Sequence, residues 1–217
     1  MNLPQPNSES TRRSANRERG FTMIELGVVI MIILIVSAMA IFALQPSMQN
    51  AKYDNAMRQV IDQLRQAREY AIANRRYVQV TFPIVLVAGQ PTQYQVVTTQ
   101  KNVAPYGPAG AGADAVLSTV PIQMPAQYFL YPAAPDTPDG FGNAAAVEFE
   151  GLNGGPILGM MFQSDGELVD GGTFQPINGT VFIGFPNAAT ASRAVTVLGA
   201  TGRIRGWKYT GAAWFQF

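Results

Sequence analysis

The chain has 217 residues, 47% of them hydrophobic and 13% charged, and it contains neither cysteine nor histidine. Those absences exclude zinc fingers, thiol nucleophiles, histidine-based triads and a disulfide framework, while the length suffices for one buried core plus an appendage. The net charge of +1 conceals a segregation: residues 101–170 hold one lysine against eight acids, whereas residues 171–217 hold Arg193, Arg203, Arg205 and Lys208 with no acid.

Residues 1–20 form a basic leader with four arginines in Thr-Arg-Arg-Ser-Ala-Asn-Arg-Glu-Arg-Gly and the residues around it. From Leu26 to Leu44 there follow 19 residues without a charge. As a helix they would span roughly 28 Å, the thickness of a bilayer's hydrocarbon. Apolar residues occupy every face, so the pattern is that of a spanning helix and not of a surface amphipath. The arginine flank puts the N-terminus in the cytoplasm and the remainder across the membrane, with lipid as the partner of the run. A removable secretory signal is the rival reading: residues 26–37 would be its apolar region, Ala38-Met39-Ala40 its cleavage pattern, and the mature chain an exported β-rich protein starting near Ile41.

At the junction stand Arg19-Gly20-Phe21-Thr22-Met23-Ile24-Glu25. This combination of basic leader, glycine, phenylalanine, threonine, spaced glutamate and apolar run resembles the class III signal of type IV pilins and type II secretion pseudopilins. The resemblance implies that prepilin peptidase cuts between Gly20 and Phe21 and that the new N-terminal residue is methylated. It also implies that Glu25 meets the amine of Phe21 on a neighbouring subunit and sets axial register in a filament. The residues themselves give a physical motive, because an ionisable group at such a depth costs on the order of 3 kcal/mol and is usually functional. Pairing within one helix, and a simple helix-dipole preference for an N-terminal acid, are the alternatives.

Residues 21–45 are thus expected to be a transmembrane and filament-core helix. Residues 46–76 continue it as an amphipathic helix: Met57, Val60, Ile61, Leu64, Ala67, Ala71 and Ile72 recur at steps of three and four. Pro46 is expected to kink this helix without ending it, and Asn74 to stop it. Residues 77–217 form a head. Alternation predicts strands over 77–82, 84–87 and 94–98, with a turn at Gly89-Gln90-Pro91. Residues 101–121 and 132–142 are Ala/Gly/Pro-rich and are expected to be loops. Further strands are expected at 145–150, 158–163, 179–185, 193–198, 202–209 and 213–217. The class is α+β, a long N-terminal helix packed on one or two antiparallel sheets.

The head adds a second resemblance. Phe162-Gln163-Ser164-Asp165-Gly166, the strand from Gly179, Arg193-Ala194-Val195-Thr196-Val197 and the closing Gly202-Arg203-Ile204-Arg205 are similar to pseudopilin H and FimT-type minor pilins. In the latter the G-R-x-R element captures DNA. If residues 203–209 are a strand, Arg203, Arg205, Trp207 and Tyr209 share one face, a platform for phosphates and unstacked bases, with Lys208 beside it. Against this, the chain after Gly20 carries eleven basic and twelve acidic residues, not a broad basic field. The arginines are equally able to pair with acids of the middle segment, and the rings to be core.

No catalytic set, metal site or cofactor motif emerges. Asp136, Asp139, Asp165, Glu167 and Asp170 lack a calcium-loop register, Glu148 and Glu150 lack an acid–base partner, and the Gly107–Gly112 segment lacks the Lys-Ser/Thr of a phosphate loop. The expectation is a non-enzymatic minor pilin or pseudopilin of a type II secretion or type IV pilus filament, with other pilins, prepilin peptidase and inner-membrane lipid as partners. DNA is the additional partner in the uptake reading.

Overall fold

The computed structural model describes residues 21–107, 110, 112–122, 124–142, 144–149, 160–186 and 188–217. The chain divides into two units, Met1–Gln45 and Pro46–Phe217. One helix, α1 (Met23–Asn74), supplies the described secondary structure of the first unit and opens the second. It runs 52 residues and passes Pro46 without ending. Within it Met23–Ile41 is long and apolar enough to cross a membrane, with a mean hydropathy of 2.8 and none of its surface buried. That is the behaviour of a segment whose partner is lipid or another helix, since the hydrophobic effect would not leave such a surface in water.

In the second unit the helical stripe finds its partner. Tyr53, Ala56, Met57, Val60, Ile61, Leu64, Ala67 and Ala71 are buried. Ile72, expected in the same stripe, is 40% exposed. The eight buried residues share one core with Val78, Val80 and Val96, with Met160, Phe162 and Leu168, and with Val181, Ile183, Val195 and Val197. Those strand residues come from two separate sheets, so the helix closes a core to which both contribute.

The first sheet has the order β2-β3-β1-β7-β8, with β4 also paired to β3. Its members are β1 (Val78–Thr81), β2 (Ile84–Val87), β3 (Gln90–Gln100), β4 (Ala115–Pro121), β7 (Met160–Phe162) and β8 (Leu168–Asp170). The second has the order β12-β11-β10-β9-β5, with β6 also on β9. It is built from β5 (Gln127–Tyr128), β6 (Val147–Phe149), β9 (Gly179–Gly184), β10 (Arg193–Leu198), β11 (Arg203–Tyr209) and β12 (Trp214–Gln216). All recorded pairings are antiparallel; Val195 sits opposite Val181 on one side and Gly206 on the other. The α+β class holds.

Two expectations are corrected. Residues 101–121 are not all loop, because Ala115–Pro121 is β4, paired to β3 from Gln95 to Gln100. Its Val116, Leu117, Thr119 and Val120 are strand formers; the surrounding glycines and prolines masked them in a composition reading. The turn between β2 and β3 centres on Ala88 and Gly89, both with positive φ, and Gln90 already belongs to the strand. The predicted strand over 145–150 is shortened to β6, Glu150 lying outside the described residues, as do residues 158 and 159 of the strand expected over 158–163.

Residues 132–142 carry no strand or helix. They are nonetheless tied to the second sheet, on the face opposite α1. There Ala134, Phe182, Ala194, Trp207, Tyr209 and Trp214 form a second, smaller core. The Trp214 indole N–H donates to the Pro135 carbonyl at 2.7 Å.

Candidate functional site

Two places concentrate the candidate residues. The first is the start of α1. Gly20 lies outside the described residues. Phe21 is 84% exposed. Thr22 is the residue before the helix, and its side chain and backbone engage Glu25 reciprocally. The Thr22 backbone N–H donates to Glu25 Oε2 at 2.9 Å and its hydroxyl donates to the same oxygen at 2.8 Å. In return the Glu25 backbone N–H donates to Thr22 Oγ1 at 3.3 Å. This is a capping box, threonine followed three residues later by glutamate, and it satisfies two N–H groups that a helix start otherwise leaves orphaned. Sequence reading treated Glu25 as a pairing charge and missed the box, although Thr-x-x-Glu before an apolar run is its signature. Both bonds to the carboxylate use Oε2, and Oε1 has no hydrogen-bond partner among the described residues.

The second place is β11 and its neighbours. A 3₁₀ turn, Gly199–Thr201, ends on Gly202, whose φ of 61° is left-handed. A Cβ on Gly202 would lie 2.0 Å from the Gly166 carbonyl oxygen, so the β7–β8 turn and the entry to β11 meet only because this residue is glycine. At Gly206 a Cβ would approach Ile61 Cδ1 to 2.8 Å and Met57 Sδ to 3.2 Å, which sets that side of β11 against α1.

Arg203, Arg205, Trp207 and Tyr209 therefore point away from α1, and each has a definite partner or place. Asp139, delivered by the 132–142 loop, receives Arg205 Nη1 at 3.0 Å and Arg203 Nη2 at 3.5 Å on Oδ1. Its other oxygen accepts the Thr196 hydroxyl at 2.5 Å. Thr196 Oγ1 in turn accepts the Trp207 indole N–H at 2.9 Å. Trp207 and Tyr209 are buried at 6% and 5% exposure. The rings are core and offer no face for stacking, while the Arg203 side chain keeps 43% exposure and Arg205 32%. Lys208 faces the helix side, its Nζ 3.8 Å from Asp54 Oδ2.

Asp54 also holds Arg193, which sequence reading counted in the basic tail and in the resemblance of the head without assigning it a partner. Arg193 is fully buried; its Nε donates to Asp54 Oδ1 at 2.6 Å and its Nη1 to the carbonyls of Thr190 and Ser192. A buried guanidinium is tolerable only with such partners. The pair fastens α1 to β10.

Of the loop acids, Asp165 Oδ1 accepts the Glu167 backbone N–H, and Asp170 accepts from Gly172 and Thr173. Glu148 accepts the backbone N–H groups of Ala144 and Ala145. They act as turn clamps. Among the described residues no group of three His, Cys, Asp or Glu side chains is placed to hold a metal ion.

Against this geometry, the comparisons with known proteins add one match. Residues 15–41 match the family described as the prokaryotic N-terminal methylation motif. No curated protein and no solved structure matches the chain. The matched segment contains the capping box and all of Met23–Ile41, and it makes the N-terminus type IV pilin-like. It supports a structural subunit that prepilin peptidase processes, anchored in a membrane by its apolar helix.

Proposed function

We propose that this type IV pilin-like chain is a minor pilin or minor pseudopilin: cut after Gly20, anchored in the inner membrane with its head in the periplasm, and assembled through α1 into a filament of type II secretion or type IV pilus kind. The observation that carries this reading is the overlap of the methylation motif, residues 15–41, with a 19-residue span that is apolar and unburied on every side. A cut after Gly20 removes no atom of the Thr22–Glu25 box, so the helix start survives processing. The exposed apolar surface then has two successive hosts of similar polarity, lipid before assembly and neighbouring helices afterwards.

Mass spectrometry of the chain from cells with and without prepilin peptidase tests the reading. The expected mature form starts at Phe21, methylated, and depends on the peptidase. A chain that keeps residues 1–20, or that starts near Ile41 as a conventional secretory signal would leave it, overturns it.

A second reading, DNA capture by Gly202-Arg203-Ile204-Arg205, draws support from the partial exposure of both arginines. Its test is salt-dependent duplex binding that disappears in the Arg203→Ala/Arg205→Ala variant.

A further inference from the structure

The aliphatic side chains of β2 belong to no core. Ile84, Val85, Leu86 and Val87 are between 36% and 60% exposed, so neither face of the strand is covered. β2 pairs with β3, from Ile84 opposite Tyr94 to Val87 opposite Gln90, and the two-residue turn at Ala88 and Gly89 closes the hairpin. On β3, the pairing with β4 begins at Gln95 and that with β1 at Val97. Among the described residues, the stretch before Tyr94 is therefore a two-stranded ribbon, and the outer edge of β2 has no strand beside it. Such a ribbon is marginal in water by itself. Natural edges are blunted by charges or covered by another element. This one carries no charge, because no charged residue occurs from Tyr77 to Gln100. Four consecutive exposed aliphatic residues on an open edge form a contact surface.

We propose that β2 pairs antiparallel with β2 of a second copy of this chain, so that two ribbons merge into one sheet across a two-fold axis. The chemistry of the edge selects this occupant. An open edge presents backbone N–H and C=O groups, which lipid cannot satisfy, so a bare edge does not enter hydrocarbon. A helix spends its backbone groups on itself and would cover the side chains but not the edge. An extended strand supplies both. Identical copies carry identical charges, so a charge-free strand meets its own copy without repulsion, and isoleucine, valine and leucine make favourable cross-strand neighbours. A two-fold contact is self-complementary, as in most oligomers. With four residues on each side, the contact falls well below the roughly 800 Å² per partner of a stable interface. It therefore forms between chains that share a membrane, where anchoring raises their effective concentration. The proposal rests on that anchoring, and not on cleavage after Gly20 or entry into a filament.

The chain contains no cysteine, so a single introduced thiol reports the contact without background. The test reconstitutes the full chain in phosphatidylcholine vesicles, carrying either Val85→Cys or Leu86→Cys, and scores disulfide-linked dimers after mild oxidation. Whichever residue sits on the two-fold axis faces its own copy at a Cα separation of about 4.5–5.5 Å, within disulfide reach, and is expected to link efficiently. Lysine at the other of these two exposed positions puts a charge on both edges; a fall in dimer yield of roughly fivefold or more is expected, with the melting temperature of the head unchanged. Val116→Cys, exposed on β4, is expected to give little dimer. Monomers from both central variants overturn the proposal, as does a yield that the lysine leaves intact, which would assign the association to the spanning helix. Linkage of Val116→Cys to itself, or to Val85→Cys, at an equal yield overturns it by showing random collision or a head-to-tail contact. So does quenching of a fluorophore on Val85→Cys by a nitroxide in the acyl chains, which would make lipid the occupant. All of these are read on the purified chain, so failure here is distinct from failure of cleavage or filament entry.

Discussion

Glu25 has one role that its hydrogen bonds show and one that belongs to the proposed assembly, and one substitution can separate them. Its carboxylate closes the capping box with Thr22, and in the proposed filament its charge would meet an amine on another subunit. Glutamine at this position keeps the acceptor that the box needs but has no charge. The expected result for Glu25→Gln is a cleaved, membrane-inserted chain that fails to enter filaments, scored by fractionating sheared filaments from membranes. Filament entry at the wild-type level would assign Glu25 to the cap alone. Asp54 poses a simpler case. Asp54→Ala strands the buried Arg193 guanidinium without its main counter-charge, and removing one member of such a pair costs about 3 kcal/mol. The expected outcome is a marked fall in the urea midpoint of the head, and no change would show that Arg193 finds other partners. The Arg193–Asp54 pair was hidden in the sequence for one reason. A charge announces itself, but its partner, 139 positions away for Arg193 and Asp54, does not.

Among the elements, those with strong periodicity were legible from the residues alone. The stripe from Met57 to Ala71 and the strands β10 and β11 follow from apolar spacing and alternation, while β2 was legible as a short apolar run although its four residues are exposed. The elements that escaped were short or embedded in turn-rich sequence: β5 has two residues, β8 three, and β4 stands behind a run of glycines and alanines. Such strands exist because a neighbour offers an edge, not through their own preference. Two predictions belong at this level. Gly202→Ala must place a methyl against the Gly166 carbonyl in a left-handed backbone; a cost of at least ~2 kcal/mol is expected by chemical denaturation. The segment leading to β4 is pinned by Asp114, which pairs with Lys101 and accepts the N–H groups of Asn102 and Val103. The Lys101 contact foremost, opposed by burial and helped by these two N–H groups, holds the Asp114 carboxyl below its ordinary 3.8. Its contribution is therefore present in full above that value and vanishes as pH falls through the lowered one. Acidification from about pH 5 to pH 3 should lower the melting temperature of the wild type more than that of Asp114→Asn, and equal slopes would refute the pin.

For the molecule as a whole, the two units answer to different solvents, and the sequence made that division plain where it left the candidate site obscure. Nineteen uncharged residues admit few interpretations. The G-R-x-R strand admitted several, and the deciding facts were tertiary: a loop with no regular structure brings Asp139 to the arginines, and the same loop closes the small core over Trp207. That placement also has a practical side. The chain contains two tryptophans, Trp207 and Trp214, and both belong to the small cluster on the face of the second sheet turned away from α1. Intrinsic emission therefore monitors that flank and is blind to the seam between helix and sheets, which circular dichroism at helical wavelengths follows instead. Melting curves from the two signals that coincide would establish that the flank and the seam come apart together; curves that part company would identify the covering loop as the first piece to peel away.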